Sequence, residues 1–180
     1  QQMRESLVAS DPLNIDLRLM LNESHRYVGD LLLKRGDRDG ARDHYRKQLE
    51  LTRAMVKAEP ANAQFRHNQA VALIKVGDVE MHYGNSAAAL THYQEALRIR
   101  EQLSAGAKED TTLRRDLAEV WLKLGEVLEK NGSKSQALEN YRKSVETLEA
   151  LSRSIPTHVG IRALLAEAQA RLATFTAKPA

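Results

Sequence analysis

Residues 121–141, WLKLGEVLEKNGSKSQALENY, decide how the rest of the chain is read. The same punctuation stands 48 residues earlier in LIKVGDVEMHYGNSAAALTHY (73–93) and again in HRYVGDLLLKRGDRDGARDHY (25–45). Gly29, Gly77 and Gly125 coincide, as do Gly36, Gly84 and Gly132, then Ala41, Ala89 and Ala137, then Tyr45, Tyr93 and Tyr141. A fixed period of this length is the signature of stacked supersecondary units. Working outward, Leu17, Phe65, Leu113 and Ile161 share one register position, and Arg18, Arg66, Arg114 and Arg162 the next. Pro12, Pro60 and Pro156 also align, with Lys108 breaking the series. Three units therefore run 12–59, 60–107 and 108–155 within one repeat domain spanning 1–180. Residues 1–11 match the end of a preceding unit, with Leu7 falling on Met55, Leu103 and Leu151, and 156–180 match the first helix of a fourth. Half-units at both ends, and Gln1 at the start, predict a segment of a longer protein.

Each unit reads as a helical hairpin. Asn14, Asn62 and Asp110 stand where a first helix begins, as side chains that accept from unpaired backbone N–H groups. Gly36, Gly84 and Gly132 suit the left-handed position that closes that helix. Asp37, Asn85 and Ser133 follow at once as N-caps of the second helix. Its apolar face shows in Ala41, Tyr45, Leu49 and in Ala89, Tyr93, Leu97, spaced by four. No segment alternates as a strand does. Close approach of the two helices is expected at the first glycine of each unit, with Gly29 facing Ala41.

Composition narrows the function. Nine glycines and four prolines in 180 residues are few helix breakers, and the net charge is only +3. With no cysteine, thiol catalysis, thiolate metal sites and disulfides are excluded. No uncharged apolar run approaches the roughly 18 residues of a membrane span, so no membrane contact is expected. Interspersed charges and few aromatics argue against nucleic-acid binding. The glycines sit at hairpin turns, not in a phosphate-cradling loop, and no HExxH or His-x3-His pair exists, so no cofactor, metal or catalytic residue is expected. His44 and His92 share a register position beside Tyr45 and Tyr93, with Asn140 in the third copy, and read as polar residues flanking a buried ring. His25, His67, His82 and His158 show no spacing pattern.

Trp121, Leu124, Gly125, Ala137 and Tyr141 resemble the tetratricopeptide repeat. So do Leu73, Val76, Gly77, Ala89, Tyr93 and Ala96, and, with His25 in place of the bulky residue, Val28, Gly29, Ala41 and Tyr45. The departure is length: the family's usual unit is shorter by about two turns in each helix. The resemblance implies an all-α solenoid of antiparallel helix pairs forming a right-handed superhelix, whose first helices line a concave face.

Carried over from the family, that face comprises Glu23, Arg26, Tyr27, Asp30, Leu33 and Lys34 in the first unit. The second adds Val71, Ile74, Lys75, Asp78, Met81 and His82, and the third Glu119, Leu122, Lys123, Glu126, Glu129 and Lys130. Glu167 and Arg171 complete it. The strip carries a recurring carboxylate (Asp30, Asp78, Glu126), a recurring cation (Lys75, Lys123, Arg171) and apolar Val71, Ile74, Met81 and Leu122 at its middle. It suits an extended or helical peptide with an apolar anchor and charged flanks. The alternative is that these apolar residues are consumed by packing. Relatives that clamp acidic chaperone tails use Lys, Asn, Asn, Lys and Arg; Arg26, Asp30, Lys75, Glu119 and Lys123 stand here, and two carboxylates would repel that ligand. The arginines at 18, 66, 114 and 162 read either as a guanidinium ladder for anions or as packing along the seams between units.

The expected function is therefore a protein-interaction scaffold without chemistry of its own, binding a protein or peptide partner. Two alternatives stand beside it. One is a regulatory module of a larger bacterial signalling protein such as a Ser/Thr kinase; the other is self-association into a homo-oligomer through exposed repeat ends. A cytoplasmic location is the accompanying expectation.

Overall fold

The computed structural model describes residue 6, residues 14–107 and residues 109–177. Pro12, Leu7 and Lys108, and most of the expected half-unit at 1–11, lie outside the described residues. Among the described residues are seven helices and no strand: α1 (Ile15–Lys34), α2 (Arg38–Ala58), α3 (Ala63–His82), α4 (Ser86–Ala105), α5 (Thr111–Lys130), α6 (Lys134–Ser154) and α7 (Val159–Ala177). Helix starts advance by 48 residues from α1 to α3 to α5 to α7, so the sequence period is a period of structure. The chain is an all-α solenoid of consecutive helix pairs. It packs as two units, α1–α3 and α4–α7, divided between Tyr83 and Gly84 in the middle hairpin turn. No helix among the described residues is long and apolar enough to cross a membrane.

The punctuation has a local physical cause. Asn14 accepts from Leu17 N–H, Asn62 from Gln64 and Phe65, and Asp110 from Thr112 and Leu113, at 2.8–3.2 Å. Each of these caps satisfies N–H groups left over at a helix start. His158, expected to fit no pattern, occupies the same register position before α7, and its Nδ1 accepts from Ile161 N–H at 3.2 Å. At the far end of α1, Gly36 adopts φ +83°, its N–H reaches Leu33 O at 3.0 Å, and Asp37 N–H reaches Leu32 O at 2.9 Å. Gly132 repeats this with φ +77° and bonds to Glu129 and Leu128. Only a residue without Cβ takes that conformation cheaply. Of the three second-helix caps, Asp37 alone caps through its side chain, to Gly40 N–H at 2.9 Å. Asn85 and Ser133 hold the N-cap position with ψ near 60° and make no side-chain cap bond.

The helices of the first and third hairpins pack antiparallel around a buried tyrosine. Tyr45 and Tyr141 are 0% exposed. The expectation that Gly29 faces Ala41 is corrected here. A Cβ on Gly29 would lie 2.5 Å from Tyr45 Cε1, and one on Gly125 would lie 2.5 Å from Tyr141 Cδ1. The glycine therefore makes room for a ring across the hairpin, and Ala41 is buried elsewhere in the same seam. The hydroxyls emerge to carboxylates: Tyr45 donates to Asp30 at 2.7 Å and Tyr141 to Glu129 at 2.8 Å. Burial, then those carboxylates, pushes both phenols far above their ordinary range.

Charges are also spent inside the seams. Arg42 and Arg46 of α2 reach Glu80 of α3, each at 3.1 Å, and Glu80 is only 3% exposed. In the second unit Arg100 of α4 meets Asp116 of α5 at 2.9 Å, both almost wholly buried. One repeat earlier the Arg100 and Asp116 positions hold Thr52 and Asn68, and one repeat later the Arg42, Arg46 and Glu80 positions hold Leu90, Gln94 and Leu128, so neither set belongs to the repeat pattern.

Candidate functional site

Within the first unit, the first helices of two successive repeats lie side by side, and α2 floors the gap between them. The result is a cleft of about 230 Å3 lined by Asn22, Glu23 and Arg26 of α1, Gln48 of α2, and His67, Asn68, Val71 and Lys75 of α3. Four of these residues, Glu23, Arg26, Val71 and Lys75, belong to the expected binding strip, and the structure gathers them into one concavity. Asn22, Gln48, His67 and Asn68 were missed. Their one signal in the sequence is a departure from the repeat. Asn22 and Gln48 stand where the second copy has Ala70 and Ala96 and the third has Ala118 and Ser144.

The rim of the cleft is a connected charge network. Lys75 Nζ donates to Asp30 Oδ1 at 2.8 Å, Arg26 lies 3.7 Å from the other Asp30 oxygen, and Arg26 Nε donates to Glu23 at 3.2 Å. Burial alone would raise the Asp30 carboxyl, but the bonds from Lys75 and Tyr45 outweigh it and hold the group below its ordinary value. The Glu23 bond in turn raises Arg26. In the second unit Glu126 accepts from Arg171 Nε at 2.9 Å. Within each unit, then, a recurring carboxylate engages a recurring cation on the next first helix: Asp30 with Lys75, and Glu126 with Arg171. Arg171 keeps 55% of its side chain exposed, so this pair contributes little to stability.

The remaining strip residues divide by exposure. Tyr27 is 63% exposed, with the Arg26 guanidinium 4.4 Å above its ring. Ile74 and Leu122 are 6% and 1% exposed and present almost no surface, so the apolar middle narrows to half-buried Val71 and Met81. Packing of the lengthened helices consumes the other two. Asp78, Lys123, Glu119 and Glu129 are half-buried, as is Leu33, whereas Lys34, His82, Lys130 and Glu167 are exposed. Arg18, Arg66 and Arg114 are half-buried and Arg162 is exposed.

One histidine pair was also missed. His25 Nδ1 lies 3.4 Å from His44 Nδ1, within hydrogen-bonding reach, and His25 is 4% exposed. No group of three or more His, Asp or Glu among the described residues is placed to hold a metal ion.

Comparison with known proteins agrees with this arrangement. The tetratricopeptide repeat profile matches residues 118–147. BtubC (BKLC) from P. vanneervenii is similar over 97% of this chain and 68% of its own, at 17% identity and a TM-score of 0.59. The N-terminal domain of stress-induced protein-1 (STI-1) from C. elegans is similar at 18% identity over 79% of this chain and 93% of its own, with a TM-score of 0.46. MamA is similar at 21% identity over 86% and 90%, with a TM-score of 0.29. No curated protein sequence matches the chain. The fold defines a helical-repeat module. Residues 118–147 match the tetratricopeptide repeat directly, and the other copies carry the same glycine, alanine and tyrosine register.

Proposed function

We propose that the chain is a scaffold that seats an extended peptide along α1 and α3, with the cleft between them as the principal subsite. One observation carries this reading: residues brought together from two successive repeats form a cleft that neither repeat makes alone. Concavity with a few convergent polar groups is what a binding subsite requires. Exposed Tyr27 beside Arg26 supplies an amphipathic contact at the edge, of the kind that dominates interface energies. The Asp30 and Lys75 charges, already paired, set orientation more than affinity.

Selection of peptides from a displayed library on the immobilised domain tests this. Binders are expected to lose affinity with Tyr27→Ala and with Arg26→Glu, and to be indifferent to Lys47→Glu on the exposed side of α2. Equal loss with Lys47→Glu would place binding elsewhere.

A second reading, self-association, is favoured by the outer face of α1. Met20, Tyr27 and Leu31 are 46%, 63% and 49% exposed, whereas Val79 and Val127, which share the Leu31 register position, are 0% exposed. This is the face against which a second helix of another unit packs, and a second copy could supply one. Light scattering across concentration separates the readings: a strictly monomeric chain that binds peptide removes the second.

A further inference from the structure

The α1–α2 seam carries two side-chain rungs that the other copies do not repeat. His25 Nδ1 faces His44 Nδ1 at 3.4 Å, and Gln48 Nε2 donates to Asn22 Oδ1 at 3.2 Å. His25 and Asn22 stand three apart on α1, and His44 and Gln48 four apart on α2, so the rungs are one helical turn from each other. The second rung belongs to the cleft, which Asn22 and Gln48 both line. In the third copy the same positions hold Trp121 with Asn140 and Ala118 with Ser144, and in the second Leu73 with His92 and Ala70 with Ala96. The first copy alone places two imidazoles there.

A neutral imidazole has one N–H and one lone pair, and a charged one has two N–H groups. One proton between the facing Nδ1 atoms sets a donor against an acceptor, in the neutral pair and in the singly charged pair alike. A second charge sets N–H against N–H. His25 is 4% exposed, so burial joins the like charge in opposing that proton. One turn from His25 on α1 stand Leu21, Asn22, Val28 and Gly29; one turn from His44 on α2 stand Gly40, Ala41, Lys47 and Gln48, of which Lys47 adds a further positive charge. Of the flanking residues, Asp43 is exposed and Arg26 bonds to Glu23. Asp30 takes Tyr45 and Lys75, and Glu80, the carboxylate that α3 turns toward α2, takes Arg42 and Arg46. The closed seam therefore excludes one of the two protons that the pair takes up once the hairpin opens, near the ordinary imidazole value of about 6.5. The open form binds more protons, so the seam is fully held above that pH and loosens as pH falls below it.

We infer that the His25–His44 pair is an acid-sensitive catch on the peptide cleft: on acidification the second proton parts α1 from α2 at this rung, the adjoining Gln48–Asn22 rung parts with it, and the cleft releases its peptide. The release rests on the peptide-scaffold reading; the catch does not. His67 is the other imidazole beside the cleft, so the experiment separates it from the pair.

The test is backbone hydrogen exchange of the whole chain, followed residue by residue by NMR at about pH 7.5 and about pH 5.5, either side of the ordinary imidazole value, and corrected for the intrinsic rate. One excluded proton raises the opening constant of the α1–α2 hairpin by about tenfold over that range. The α5–α6 hairpin contains no histidine and should hold steady, which makes it the reference within the same molecule. His25→Leu, the second copy's residue, and His25→Gln, which leaves His44 a neutral polar partner, should each abolish the rise. An equal rise in both hairpins, no rise in the first, or a rise that survives both substitutions would overturn the catch. For the release, a library peptide captured at the higher pH should leave the wild-type chain at the lower one and stay bound to His25→Gln. His67→Gln should release it as wild type does; retention by that variant would make the cleft histidine the sensor and refute the pair. Retention by the wild-type chain while its hairpin opens would refute the link from seam to cleft. Capture of no peptide at the higher pH would sink the scaffold reading alone, and the exchange result would still decide the catch.

Discussion

Replacing Gly125 by alanine sets two effects of known sign against each other. In a helix interior, alanine is favoured over glycine by about 1 kcal/mol, because the unfolded chain loses freedom and the helix gains a better former. Against that stands the Tyr141 ring, 2.5 Å from where the new Cβ would sit and itself 0% exposed. The ring has nowhere cheap to go. Its far edge meets Phe175 at 5.7 Å between centroids, and its hydroxyl is tied to Glu129 at 2.8 Å. Overpacking of this kind costs about 1–3 kcal/mol, so the net effect is destabilisation by up to about 2 kcal/mol. Urea unfolding followed by circular dichroism reads it directly. The decisive variant is the same substitution made beside Tyr141→Ala, which removes the Cγ and Cδ1 atoms that the new Cβ would meet. With the ring gone, only the propensity gain remains, and alanine should then stabilise by about 1 kcal/mol, giving a coupling of about 1–3 kcal/mol across the cycle. Stabilisation by Gly125→Ala with Tyr141 intact would refute the packing argument.

Three further outcomes follow from features of the seams. Asp116→Asn alone removes the carboxylate nearest the buried Arg100 guanidinium, leaving only the more weakly felt Glu119, and should cost about 3–5 kcal/mol, whereas Arg100→Thr with Asp116→Asn, the pair found one repeat earlier, should recover most of it in denaturant titrations. The folded-state carboxyl of Asp30 lies below its unfolded value of 3.8, so its contribution is complete above that pH and is lost as pH falls further; Asp30→Asn should flatten that part of the acid unfolding curve, and an unchanged curve would show the network idle. His158→Asp gives α7 an ionised cap where an imidazole now accepts, and should raise the thermal midpoint by the equivalent of about 0.5–1 kcal/mol, read by calorimetry.

The parts of the fold that were legible in the sequence are those decided by local chemistry. Asn14, Asn62, Asp110, Gly36 and Gly132 each do what their side chain, or its absence, dictates within one turn of chain. What escaped was the stagger of one helix against another. Periodicity identifies the face that Gly29 belongs to but not which residue lies opposite, and so the ring of Tyr45 took the place expected of Ala41. The strip charges were found but their partners were not, although the offset was available: Asp30 to Lys75 and Glu126 to Arg171 are both 45 residues apart, one repeat less three, a turn of helix. The cleft floor was hidden for the opposite reason. Aligning copies rewards sameness, and Asn22, Gln48 and Arg100 matter because they differ from their counterparts.

The hairpin turns leave almost no slack. Three residues, Arg35 to Asp37, close α1, reverse the chain and open α2, with the glycine and the cap locked by backbone bonds to the helix just ended. Each added residue there would rotate the following helix by about 100° and swing its tyrosine off the seam. The link Glu59–Asn62 between α2 and α3 carries no such lock in the left-handed region. Length changes should therefore accumulate between hairpins and be purged within them, so that the hairpin, and not the single helix, is the smallest piece that can be lost, gained or exchanged.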